Sequence, residues 1–70
     1  MSDSVYKIIE LVGTSENSFE EAAKNAVETA SKSLKDLRIA EIKQLDLKVE
    51  NGLVVAYRAR VNLSFRYGTD

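Results

Sequence analysis

The chain has 70 residues, with 10 basic and 11 acidic side chains and a net charge of −1. That length holds one domain, expected to run over residues 1–70, and the even charge balance argues against a general nucleic-acid binder, which shows a basic excess. Cysteine and histidine are both absent, so disulfides and thiolate metal sites are excluded and the commonest general base is missing.

A core this small rarely stabilises a monomer by more than a few kcal/mol. Small domains therefore lean on a disulfide, a metal or a partner subunit, and here association is the expected route. No apolar run approaches the length needed to span a bilayer. Met1-Ser2-Asp3-Ser4 shows no basic region followed by an apolar stretch, so no secretory leader is expected. A soluble, cytoplasmic protein with no membrane or nucleic-acid partner is the simplest expectation.

The first element is Val5 to Val12, rich in β-branched residues and expected as a strand. Both of its faces, Val5/Lys7/Ile9/Leu11 and Tyr6/Ile8/Glu10/Val12, are mostly apolar. A one-layer sheet in a monomer shows water one polar face, so the second apolar face points to another subunit. Gly13 is expected to turn the chain, and Ser18 to cap a helix running to about Leu37. Ser18 with Glu21 has the spacing of a capping box. Phe19, Ala22, Ala23, Ala26, Val27, Ala30 and Leu34 share one helical face, and its four alanines allow a close approach to a sheet. Lys32 and Lys35 would complement the C-terminal end of the helix dipole. The Gly13-Thr14-Ser15 stretch is not a phosphate loop: it has no second glycine and no lysine, and Glu16, Glu20 and Glu21 would repel an anion.

Arg38 to Glu50 is expected as the second strand and Leu53 to Tyr67 as the third. The third alternates, with Tyr57, Ala59, Val61, Leu63 and Phe65 on one face and Arg58, Arg60, Asn62, Ser64 and Arg66 on the other. A two-residue Asn51-Gly52 turn would pair Glu50 with Leu53 and set a polar face beside an apolar one. A three-residue loop with Gly52 left-handed pairs Val49 with Leu53, Leu47 with Val55 and Leu45 with Tyr57, and is preferred because register follows the apolar faces. The second strand changes phase between Ile42 and Leu45, which a β-bulge near Lys43-Gln44 would correct. The expected fold is α+β, in the order β-α-β-β: a small three-stranded antiparallel sheet packed around one helix, with the third strand in the middle.

The segments VYKIIELVGTS, EEAAKNAVETASKSLKDLR and YRARVNLSFRY, in that order over Val5 to Tyr67, resemble the dodecin family. The resemblance implies a hollow homododecamer and a non-enzymatic role in binding, buffering or storing flavin (riboflavin or FMN). In flavin-binding members a tryptophan early in the second strand stacks on the ring and a glutamine on the third strand bonds the ring edge. The corresponding positions here hold Ile39 and Arg58, and Asp46-Leu47 stands where many members carry arginine-glycine. Ile39 has no π face, and stacking on an aromatic contributes about 1–3 kcal/mol per ring by analogy with nucleobases. Arg58 donates but cannot accept. Flavin binding is therefore expected to be weakened or lost at Ile39, Asp46 and Arg58.

The stretches DLRIAEI and NLSFRY look more like a branch that lacks the tryptophan and is associated with calcium. Calcium takes six to eight oxygens. No EF-hand spacing occurs, so Asp46, Glu41 and Glu50 would have to converge through symmetry. An ordinary cross-strand pair between Asp46 and Arg58 is the favoured reading over a metal role. For Arg58, Arg60 and Arg66, ion pairs at subunit contacts are favoured over an anion-attracting cavity lining. No nucleophile with an activating partner is visible, so an enzyme is not expected.

Overall fold

The computed structural model describes residues 4–67. Of the stretch inspected for a leader, residues 1–3 lie outside that range. The elements are β1 (Tyr6–Ser15), α1 (Phe19–Ala30), β2 (Leu37–Glu50) and β3 (Leu53–Arg66). They form a three-stranded antiparallel sheet in the order β1-β3-β2, with β3 in the middle as expected.

The helix lies on one face of the sheet through small side chains. Ala22, Ala26 and Ala30 are buried against Ala59, Val61 and Leu63 of β3, with Ile9, Leu11, Ala23, Val27, Leu34 and Leu37 around them. Phe19 meets Tyr57 edge-on, with ring centroids 5.1 Å apart. Such a pair adds about 0.5–1.5 kcal/mol beyond the area it buries.

Gly13 does not turn the chain. It is a strand residue, paired with Ala59, and β1 continues to Ser15. Its missing side chain is what admits the helix. A Cβ at Gly13 would overlap the carbonyl oxygen of Ala22 and come within 3.0 Å of the Ala26 Cβ. The helix also stops sooner than its apolar spacing predicts. It ends at Ala30, and the N–H groups of Ser33 and Leu34 both bond to the Ala30 carbonyl, closing a final tight turn. Ser31 and Ser33 favour turns over helix interiors. Leu34 still reaches the core, but from this turn. Lys32 and Lys35 fall beyond the last helical turn, which contains no basic residue.

The β2–β3 hairpin differs from expectation at its tip. Asn51 and Gly52 have φ of 52° and 76°, the two left-handed residues of a two-residue type I′ turn. Glu50 therefore pairs with Leu53 and Val49 with Val54. The apolar phase is restored one step later, where Val55 is left unpaired and Lys48 meets Ala56. Leu47 then opposes Tyr57 and Leu45 opposes Ala59, not Val55 and Tyr57. The expected bulge near Lys43-Gln44 is present, with Lys43 as the extra residue, and a further irregularity falls at Arg38.

The helix covers β1 and β3 but scarcely reaches β2. On the helix side of the sheet, Ile42, Leu45 and Leu47 stay exposed, Leu45 at 47%. On the far side Ile8 and Val12 are exposed as well. The radius of gyration is 14.5 Å, against about 11 Å for a compact chain of this length. The protomer is thus an elongated hairpin with one end clothed by a helix.

Gly13→Ala is expected to destabilise the fold by more than about 3 kcal/mol, the upper end of ordinary overpacking costs, because the obstacle is backbone. Gly52→Ala, with open space around it, should cost about 1–2 kcal/mol from its positive φ alone. Denaturant unfolding of both variants, with the mass in solution followed by light scattering, checks the contrast.

Candidate functional site

The sheet face turned away from the helix carries the polar side chains of β3. Arg58 stands between Asp46 on β2 and Thr14 on β1, Arg60 between Gln44 and Val12, and Asn62 between Glu41 and Glu10. Asp46 and Arg58 are direct cross-strand partners; in the three-residue-loop register expected from the apolar faces they would be diagonal, and the two-residue turn with the Val55 bulge shifts them opposite one another. They form a two-point pair: Arg58 Nε donates to Asp46 Oδ1 at 2.7 Å, and Nη2 donates to Oδ2 at 3.0 Å. Fork-to-fork geometry of this kind is the strongest form of side-chain ion pair. Arg60 reaches diagonally to Glu10 at a longer 3.4 Å. Arg66 donates to Ser4 Oγ at 3.2 Å.

Hydrogen bonds from Arg58, reinforced by its charge and that of Arg60, hold the Asp46 carboxyl below its ordinary range, and the same contact raises the Arg58 guanidinium. Both side chains remain about two-fifths exposed, so solvent screens the pair.

Ile39 lies elsewhere. It pairs with Ser64 just past the Arg38 irregularity, is 63% exposed, and borders a shallow hollow of about 200 Å³ with Val27, Leu37 and Leu63. Ser64 and Arg58 are roughly 20 Å apart along β3. Within one protomer, then, Asp46 and Arg58 are brought together and Ile39 is not. Among the described residues no three acidic side chains are grouped closely enough to hold a metal ion. Glu41 and Glu50 stand at Asn62 and Leu53, away from Asp46.

Sequence reasoning missed a second feature, a polar hollow of about 540 Å³ between the N-terminus of α1 and the hairpin. Ser15, Asn17, Glu21 and Asn25 line one side and Lys48 and Glu50 the other. Half of a capping box is realised there: Glu21 N–H donates to Ser18 Oγ at 3.0 Å. The Glu21 carboxylate does not return to Ser18. It accepts from Ser15 Oγ and from Asn17 Nδ2, while the backbone N–H groups of Asn17 and Ser18 donate to Ser15 Oγ. Asn25 Nδ2 donates to the Thr14 carbonyl at 3.0 Å. The hidden signal was Ser15, a polar residue buried because it closes this network. The groups are engaged with one another, so the hollow serves the strand-to-helix junction.

The donors from Ser15 and Asn17 lower the Glu21 carboxyl, as Arg58 lowers Asp46. A depressed carboxylate contributes stability that is complete above its unfolded pKa and lost as pH falls through the folded value. Both contributions should fade below about pH 4. Urea unfolding between pH 6 and pH 3 should therefore show a shallower acid loss in Asp46→Asn and Glu21→Gln than in the native chain.

No helix among the described residues is long and apolar enough to cross a membrane. The sequence profile of the Dodecin family matches residues 5–68. A Mycobacterium tuberculosis protein named calcium dodecin is 40% identical over 63 residues, covering 90% of this chain and 89% of that one. The dodecin of Streptomyces coelicolor superposes with a TM-score of 0.90 at 34% identity over the full length of both chains. The crystal structure of the Mycobacterium tuberculosis calcium dodecin, described as having a novel calcium-binding site, superposes with a TM-score of 0.82 at 38% identity over 96% of each. With the family profile matched over residues 5–68 and its β-α-β-β fold superposing on that of dodecins along the whole chain, this chain belongs to the dodecin family.

Proposed function

We propose that the chain forms a dodecin-like homododecamer that binds or stores a small molecule without transforming it, and that its affinity for riboflavin and FMN is weakened or lost. The supporting observation is the two-point pair of Arg58 with Asp46. A guanidinium held in this way has its best donors occupied and offers no acceptor for a ring N–H. Ile39 adds apolar contact but no stacking face. The residues present therefore do not fit a tightly held flavin ring. The exposed apolar side chains of β2 and of the far face of β1 supply the surface that neighbouring copies would cover.

A second reading is calcium association, favoured by the 40% identity to the relative named calcium dodecin. The spread of the acidic residues means that such an ion would draw ligands from more than one subunit, backbone carbonyls included.

Fluorescence titration of the intact assembly with riboflavin and FMN, with mass checked by light scattering, tests the first reading. The expected outcome is no saturable quenching at submicromolar flavin. Saturation near one flavin per subunit would overturn it. Under the second reading, EDTA should lower the assembly mass or its unfolding temperature, and added calcium should restore it.

A further inference from the structure

We propose that Asp46 masks an anion site on this face, and that releasing Arg58 from it would create a binding site for a phosphate group. The proposal concerns the charge selectivity of the same face and so rests on the reading above.

Arg58 and Arg60 are two apart on β3, so their side chains stand on the same face, about 7 Å apart along the strand. Each is engaged by a carboxylate from a different flanking strand: Arg58 by Asp46 of β2, Arg60 by Glu10 of β1. The two pairs are not equal. The Asp46 pair is made by two hydrogen bonds at 2.7 and 3.0 Å, while the Glu10 pair is a single contact at 3.4 Å. Glu41 lies at the Asn62 position, one pair beyond Arg60, and on the other side Lys48 stands at Ala56, one pair beyond Arg58, and contacts Glu50 at 3.6 Å. The other groups flanking Arg58 and Arg60 across the sheet are Thr14, Val12 and Gln44, none of them charged.

Two guanidiniums at this spacing make the planar, multi-donor surface that phosphate oxygens take up. What keeps the surface closed is one carboxylate. It fills both arms of the Arg58 fork and cancels one of the two positive charges. A phosphate approaching the native face meets Asp46 and Glu10 as well as the arginines. Acid does not open the site at ordinary pH, since Asp46 stays ionised there. Only its removal or neutralisation does. The amide introduced by Asp46→Asn would retain the side-chain shape and remove the charge, leaving Glu10, which Arg60 contacts, and Glu41, at the same Asn62 pair, as the nearest carboxylates.

The test uses the assembled protein and inorganic phosphate as the probe, followed by 31P NMR titration at constant low ionic strength. Native protein should show no saturable binding in the millimolar range. Asp46→Asn should bind at least about tenfold more tightly, the gain expected from one charge-assisted contact, and added sodium chloride should weaken it. Asp46→Asn combined with Arg58→Gln should return to the native level. Should Asp46→Asn fail to assemble, Asp46→Ser gives the same reading with less side chain. An intact Asp46→Asn or Asp46→Ser assembly with no gain overturns the proposal. A gain that survives in the double variant overturns it too, because Arg58 would not be the group released. Riboflavin carries no phosphate, so its titration against native protein reports on the proposed function alone, and the two can fail separately.

Discussion

The helix can rest on this sheet only because β1 presents backbone and no side chain at Gly13. Everything else in the protomer follows from how near that brings α1. At such an approach only alanines fit beneath it, and Ala22, Ala26 and Ala30 are the residues found there. The benefit is a tight seam. The cost is volume: Leu63 and Val61 are the largest fully buried side chains, and little apolar area leaves water when the chain folds. Since burial supplies the main favourable free energy of folding, a protomer organised around this seam has little stability of its own.

The same geometry explains why the candidate site is built on β3. The central strand is the only one bonded on both sides, so its outward side chains can be engaged from two directions. Arg58 is taken by β2 and Arg60 by β1. Each ion pair crosses a strand boundary and so reports on the register of the whole sheet. The two-point contact between Asp46 and Arg58 forms because the Val55 bulge brings them opposite one another. Without that bulge the two-residue turn would set Asp46 opposite Tyr57, on the other face of the sheet from Arg58. A local irregularity near the tip thus sets the electrostatics of a face several residues away.

Much of this was legible in the residues. The alternation of β3, the alanine face of α1 and the phase change at Lys43 are periodic signals, and periodicity is what sequence reports best. The hairpin tip was misjudged because two devices restore the same apolar phase: a three-residue loop, or a two-residue turn followed by a bulge. The choice was made by the turn residues, since Asn51 and Gly52 both accept left-handed backbone, and local chemistry outweighed the simpler register. Gly13 was misjudged for a related reason. A glycine before a helix looks like punctuation, and only the third dimension reveals a helix pressed against it. At the site, the Asp46–Arg58 pair was readable from charge and neighbourhood. The roughly 20 Å that separates Ile39 from it was implicit in their seven-residue spacing along one strand. The Ser15 network was missed because it joins residues that carry no shared period.

The hairpin that extends past the helix has a consequence for how such a protein comes into being. Ile42, Leu45, Leu47, Val49 and Leu53 are exposed in the lone chain, and β2 runs along the rim of the sheet with its outer hydrogen-bonding groups turned away from any strand of its own. A rim of this length without proline invites pairing with whatever chain arrives first. With copies of the same chain covering this rim, as proposed above, concentration becomes part of the fold. When protomers are abundant the correct neighbour wins. When they are scarce, the chain has no resting state in which its apolar half is safe, and its persistence is a property of the population more than of the molecule.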